Sequence, residues 1–417
     1  MDRLPGFRDF YPEPLPQPDL WSADARQYIF DNWRAVARRY GFREYDGPPL
    51  EPLELFTTKS GQEIVGQLYN FIDKGERHIS LRPEMTPTLA RMISAHERSY
   101  KKPVKWFAIP QLFRYERQQK GRLREHFQLN ADIIGESDPA ADAELIALLI
   151  DTLRAFGLTE KDFVIRLSSR NAWHDFFVRH NGEAAKEYDF YQIIDKLERE
   201  TPAQSEEKLR LLGFSLPEVA GFIEEGEPTV ELKFIVDNLT ARGLNDFVKI
   251  DYHVIRGLAY YTGIVFEAFD RKGDFRAIAG GGRYDNLVKL ISGGKINLPA
   301  LGFGMGDVVL QELLKARRLL PNFEATLDAF CLIEDETLRA ESLKLIQNLR
   351  SAGLAVDYPL TAAKSDKQFK RAQELKATHT LKLERSPSGE LVSKIKNLET
   401  REERQASLAE TARALNS

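Results

Sequence analysis

The densest concentration of chemistry in the chain is Phe113-Arg-Tyr-Glu-Arg-Gln-Gln-Lys-Gly-Arg-Leu-Arg-Glu-His-Phe-Gln128. Arg114, Arg117, Lys120, Arg122 and Arg124 place five cations within eleven residues, between two apolar runs of strand character, Trp106 to Phe113 and Gln128 to Ile134. A hairpin loop of this kind can aim guanidinium forks at phosphate oxygens, where planar bidentate contacts are strong. A solvated charged loop has the same composition. A second cluster, Arg256-Gly-Leu-Ala-Tyr-Tyr-Thr-Gly263, sets an arginine just after the apolar pair Val254-Ile255 and shortly before two tyrosines. That pattern suits a charge clamp over a small-ligand pocket. It equally suits a strand whose tyrosines face opposite ways. Gly280-Gly-Gly282 reads as a tight turn opening a helix, a place where backbone amides approach an anion, or as a plain turn. Gly302-Phe-Gly-Met-Gly306 lacks the dinucleotide spacing, no Walker-type lysine motif occurs, and the seven histidines show no metal-ligand spacing.

Regular elements must hold these segments. Ser22 to Tyr40 has a cap residue and apolar positions at helical spacing (Ala25, Ile29, Trp33, Val36). Phe42 to Asp46, Leu68 to Ile72 and His78 to Leu81 read as strands, and Pro87 to Ala95 and Ala140 to Phe156 as helices. From about 170 to 245 the pattern is charged and helical, which marks a helical insertion. Strand character returns over Lys249 to Asp270, Phe275 to Ala279 and Leu301 to Met305. After Pro321 the register changes to strand Asp328 to Ile333, helix Thr337 to Arg350, strand Leu354 to Tyr358, helix Ser365 to Leu375 and strand Thr378 to Leu383. The expected fold is therefore α+β: a large domain over residues 1–325 with the insertion at about 170–245, then a small α/β domain over 326–417.

The bulk numbers narrow the classes. A chain of 417 residues with 42% hydrophobic and 29% charged residues is globular, not disordered. The longest apolar run, Leu145 to Ile150, is too short for a membrane span, so no membrane partner is expected. Met1 to Gly6 has no apolar leader core, and Cys331, the only cysteine, excludes an intrachain disulfide and a cysteine-based zinc site. Both point to the cytoplasm. A net charge of −4 argues against indiscriminate DNA coating but leaves RNA open, since binding follows local cation clusters.

In order along the chain, Leu4-Pro-Gly-Phe-Arg-Asp9, Tyr40-Gly-Phe-Arg-Glu-Tyr-Asp-Gly-Pro48, Leu81-Arg-Pro-Glu-Met-Thr86, Phe113 to Gln128, Arg256 to Gly263 and Ala279 to Tyr284 resemble the motifs of the class II histidyl-tRNA synthetases. The resemblance runs over nearly the whole chain. It implies a class II catalytic domain, an antiparallel sheet flanked by helices, followed by an anticodon-binding domain. It implies ATP-dependent activation of L-histidine and transfer to tRNA(His), with Mg²⁺ accompanying ATP. Pro48 matches the motif 1 proline of a dimer interface, so a homodimer is implied. Arg114 and Arg256 become the catalytic pair, with Arg114, Glu116, Arg122 and His126 on ATP. Glu84, Thr86, Gln128, Asp132, Tyr261 and Tyr284 would line the histidine pocket, and Gln118, Gln119 and Lys120 would meet the tRNA acceptor end. No metal ligand is assigned.

The chain departs from the family pattern in three places. Met85 replaces a glycine, Ala259 stands where the histidyl signature has Asp, and Gly306-Asp-Val-Val309 puts Val309 where motif 3 supplies an ATP-binding arginine. These departures sharpen one alternative, a non-catalytic paralogue that serves as regulatory subunit of ATP phosphoribosyltransferase. That paralogue lacks the anticodon domain and loses several motif 2 and histidyl-signature residues, whereas this chain keeps Arg114, Glu116, Arg122 and Arg256 and has the extra α/β domain.

Overall fold

The structure is a computed structural model that describes residues 2–60, 62–115, 121, 123–256, 260–323 and 327–415, without the side chains of 59, 60 and 62–64. The chain forms two compact units, residues 1–11 with 19–321, and residues 12–18 with 322–417.

The first unit is built on a nine-stranded sheet. Its order is Val248–Ile250, Phe163–Ser169, Ile264–Asp270, Ala279–Arg283, Ala300–Gly306, Glu125–Ile134, Val104–Ala108 and Arg43–Glu44, with Gln111–Phe113 also paired to Glu125–Ile134. The centre is antiparallel throughout, while both outer pairs are parallel. The expected antiparallel sheet is therefore mixed at its edges. Each edge strand is reached by a long crossover, which is what parallel pairing requires.

One face of the sheet carries helix Ala140–Arg154, in which Leu145 through Ile150 are all fully buried. An apolar surface all round fits a helix covered on every side. Helix Ala23–Arg39 packs on it, and Ser22 caps that helix, its Oγ accepting the Ala25 N–H at 3.1 Å. The insertion is helical as expected: Arg170–Arg179, Glu187–Ile194, Pro202–Leu211, Leu216–Glu225 and Val230–Ala241. It is not a separable body, because Trp173, Phe177, Phe190, Ile235 and Leu239 belong to the same apolar core as Leu145 to Ile150.

Three local readings change. Trp106 to Phe113 is two strands, broken at Ile109-Pro110. Phe275 to Ile278 is not strand; the strand begins at Ala279. Gly280-Gly281-Gly282, read as a turn, is the interior of that strand. Glycines give no alternating apolar signal, so sequence periodicity could not place them.

The second unit has a five-stranded sheet in the order Val356–Asp357, Leu327–Cys331, Ala377–Arg385, Leu391–Asn397, Glu403–Ser407. The first three strands are parallel and the last two antiparallel. Helices Arg339–Ser351 and Ser365–Glu374 match the reading. The last two strands and helix Thr411–Leu415 were missed, since Leu391-Val-Ser-Lys-Ile-Lys-Asn397 is largely polar.

Candidate active site

The face of the sheet opposite helix Ala140–Arg154 holds a cavity of about 270 Å³. Its floor follows from register. Gly302, Gly304 and Gly306 lie opposite Asp132, Asn130 and Gln128, and Gly282 and Gly280 lie opposite Gly302 and Gly304. Side chains alternate across a strand, so these glycines share one face with the polar residues beside them. The space they leave is used. A Cβ on Gly302 would stand 1.9 Å from Asp132 Oδ1, one on Gly304 would stand 1.9 Å from Gln128 Nε2, and one on Gly280 would stand 2.2 Å from Arg256 Nη1. These glycines are thus the bed on which three cavity-lining side chains lie.

Asp132 is the most deeply set carboxyl group of the cavity. Oδ1 accepts the Tyr284 hydroxyl at 2.5 Å, and Oδ2 is buried with no hydrogen-bond partner among the described residues. Burial pushes its pKa up to about 7, although the Tyr284 hydrogen bond works the other way. Burial likewise drives the Tyr284, Tyr260 and Tyr45 hydroxyls well above the usual phenol range, so all three keep their protons. Glu84 accepts the Tyr260 hydroxyl at 3.3 Å. Tyr260 and Tyr261 both line the cavity, their ring centroids 4.8 Å apart, and neither is in a strand. The reading that they face opposite ways is excluded.

Two guanidinium groups also line the cavity. Arg114 follows strand Gln111–Phe113, and its Nε donates to the Pro83 carbonyl at 3.0 Å. Arg256 has a left-handed backbone, φ 58°, and pairs with Glu267. Burial weakens its charged form, but Tyr261 and Glu267 outweigh that and raise its pKa. Its backbone is held by Arg170, which donates to the carbonyls of Ile255, at 3.1 Å, and Arg256, at 2.5 Å.

Arg114, Arg256, Glu84, Thr86, Gln128, Asp132, Tyr261 and Tyr284 therefore meet around one cavity. His126 stands beside it, Nε2 3.3 Å from Gln128 Oε1. Glu116, Gln118, Gln119, Lys120 and Arg122 lie outside the described residues. Val309 lies in the first turn of helix Asp307–Arg317, 9% exposed and packed in the main core. Sequence reasoning missed Asn130, Glu267 and Arg170, and it named Tyr260 in the Arg256 cluster without assigning it to the histidine pocket. Asn130 was within reach, because alternation from Gln128 to Asp132 passes through it. Arg170 and Glu267 carried no sequence signal of their own.

An antiparallel platform with its ligand cavity on a glycine-floored face, rather than at the ends of parallel strands, is the plan of the class II aminoacyl-tRNA synthetases. Solved structures share the fold: the histidyl-tRNA synthetase from Nostoc sp. superposes with a TM-score of 0.75 over 97% of either chain, at 24% identity. The histidyl-tRNA synthetase family model matches residues 18–307. A histidine–tRNA ligase of Opitutus terrae is 44% identical over 96% of this chain and 94% of its own. One of Leptospira biflexa is 36% identical over 88% and 86%. The chain belongs to the histidyl-tRNA synthetase family, and its enzyme class is therefore that of the aminoacyl-tRNA ligases. These nearly full-length ligase relatives displace the regulatory-subunit alternative.

Proposed function

We propose that the chain activates L-histidine with ATP in this cavity and transfers it to tRNA(His). A carboxylate oxygen of histidine attacks the α-phosphorus, and the bond to pyrophosphate breaks, giving histidyl-adenylate. A ribose hydroxyl at the tRNA 3′ end then attacks the acyl carbon, and AMP leaves. Carboxylates are ionised at neutral pH, so the first step needs no protein base. Arg114 and Arg256 stabilise charge on the phosphoryl oxygens, in a site where fixed guanidinium groups need no reorganisation. Glu84, Thr86, Gln128, Asp132, Tyr261 and Tyr284 hold the amino acid. Buried polar partners of this kind reject analogues that leave them unpaired.

Glu116, Arg122 and the ring of His126 take ATP, and Gln118, Gln119 and Lys120 meet the acceptor end. Mg²⁺ is assigned as ATP's counter-ion, in keeping with its habit of binding through substrate phosphates; among the described residues no group of three or more His, Cys, Asp or Glu is placed to hold a metal ion. Residues 326–417 are proposed as the anticodon-binding domain, where Lys364, Lys367, Lys370 and Arg371 form an exposed basic face. A homodimer and a cytoplasmic location complete the reading. Among the described residues no helix is long and apolar enough to cross a membrane.

The observation that carries this reading is the meeting of Asp132, Tyr284 and Gln128 with Arg114 and Arg256 around one cavity. ATP–pyrophosphate exchange, run with each standard amino acid separately, tests it. Exchange with histidine alone is expected; no exchange from folded protein overturns it.

A further inference from the structure

His126, Gln128, Asn130 and Asp132 occupy alternate positions of strand Glu125–Ile134, while Leu129, Ala131 and Ile133 on the other face enter the core. The first three side chains form a hydrogen-bonded row. His126 Nε2 lies 3.3 Å from Gln128 Oε1, and Gln128 Nε2 donates to Asn130 Oδ1 at 3.1 Å. The Gln128 amide lies directly over Gly304, where a Cβ would stand 1.9 Å from its nitrogen. Asn130, 4% exposed, is itself part of the cavity wall.

We infer that this row makes Asn130 a specificity-determining residue for histidine, set by the ring of His126. The inference rests on the reading that the cavity takes histidine. A row of amides has a direction. With a proton on His126 Nε2, the Gln128 carbonyl accepts from the ring and the Asn130 carbonyl accepts from Gln128. The amino group of Asn130 is then the atom pair left to donate into the cavity. Asp132, on the same face, offers Oδ2 as an acceptor. A neutral imidazole has one N–H and one bare nitrogen, so a donor beside an acceptor is its complement. In the opposite direction Asn130 would present its carbonyl, and the bare nitrogen would lose this donor and face one more acceptor in a buried site. The ring on the ATP side thereby sets the hydrogen-bond polarity of the amino-acid side.

The test is histidine-dependent pyrophosphate exchange with Asn130→Asp, His126→Phe and the double variant, beside the unaltered protein. The unaltered protein reports on the underlying activity independently. Asn130→Asp keeps shape but cannot donate when ionised, and should raise the histidine KM at least tenfold. His126→Phe keeps a ring at position 126 but removes the Nε2 proton, and should raise the histidine KM severalfold. The double variant should be no worse than Asn130→Asp alone, since both cut one row. A histidine KM unchanged in Asn130→Asp, or effects of the two substitutions that multiply independently, would overturn the inference. Asn130→Ser, which keeps a hydroxyl donor, should recover part of the loss; failure to recover any of it also counts against the inference.

Discussion

Gly302 faces Asp132 across the ladder of strands Ala300–Gly306 and Glu125–Ile134, and a methyl group on Gly302 would lie 1.9 Å from Asp132 Oδ1. The oxygen it would strike is the one that accepts the Tyr284 hydroxyl. Gly302→Ala must therefore turn Asp132 out of its place or spread the two strands. Overpacking of this kind costs about 1–3 kcal/mol of stability. The larger effect should fall on the amino acid: a histidine KM raised tenfold or more in pyrophosphate exchange, with the ATP KM much less changed. Equal increases in both constants would show that Gly302 serves the sheet rather than Asp132.

Arg256 holds a left-handed conformation that costs a non-glycine residue about 1–3 kcal/mol, and Arg170 spans its carbonyl and that of Ile255. Arg256→His should lower kcat for adenylate formation by roughly 10²–10³, the range for losing one fixed charge-stabilising donor. Arg170→Met leaves Arg256 in the sequence but not in place. Its kcat should fall about tenfold or more, with Arg170→Lys restoring part of it. Rapid-quench measurement of the adenylate reads both. A full-rate Arg170→Met variant would leave Arg170 with only a packing role against Tyr191, whose ring it covers at 4.4 Å.

Much of this was legible because local signals agree with tertiary ones. Ser22 and the Ala25, Ile29, Trp33, Val36 stripe specified their helix, and eight site residues named from motif order meet at one cavity. What was illegible has physical reasons. Glycine strands carry no period-two signal, so Gly280 to Gly282 looked like a turn. Arg170 acts on a segment 85 residues away in the chain, a distance no local pattern spans. Val309 marked a missing cation but not its surroundings: it is packed in the main apolar core.

Asp132 gives the fold a pH dependence of definite sign. Its carboxyl group is raised by burial from 3.8 to about 7, so between those values the folded chain holds a proton that the unfolded chain has released. Stability must fall as pH rises through that window, and the cost persists above it. Asp132→Asn removes the titration and the buried charge together. At pH 8 it should unfold at a higher denaturant concentration than the parent, by on the order of 2–4 kcal/mol, while losing histidine activation. At pH 4 the two should converge. A variant no more stable than the parent at pH 8 would mean that water or a neighbouring charge already compensates Asp132.

The last prediction concerns Arg8, whose guanidinium bridges two carboxylates that the sequence places far from it and from each other. Nε meets Glu125 Oε1 at 2.6 Å and Nη1 meets Asp307 Oδ2 at 2.8 Å, with all three side chains about 1% exposed. Asp307 Oδ1 also accepts the Phe127 N–H at 3.0 Å, one residue beyond the last ladder pair, Gly306 with Gln128. Asp307 thus extends the sheet by a side chain, and Arg8 holds it there. Burial raises the Asp307 pKa even with Arg8 opposing it, as one cation does not fully offset two buried anions. Arg8→Met would leave both carboxylates buried without their cation, and should cost about 3–5 kcal/mol in urea unfolding. Adding Asp307→Asn removes one of the two charges while keeping an acceptor for Phe127, so the double variant should be more stable than Arg8→Met alone. If the second substitution instead deepens the loss, repulsion between Glu125 and Asp307 is not what Arg8 offsets.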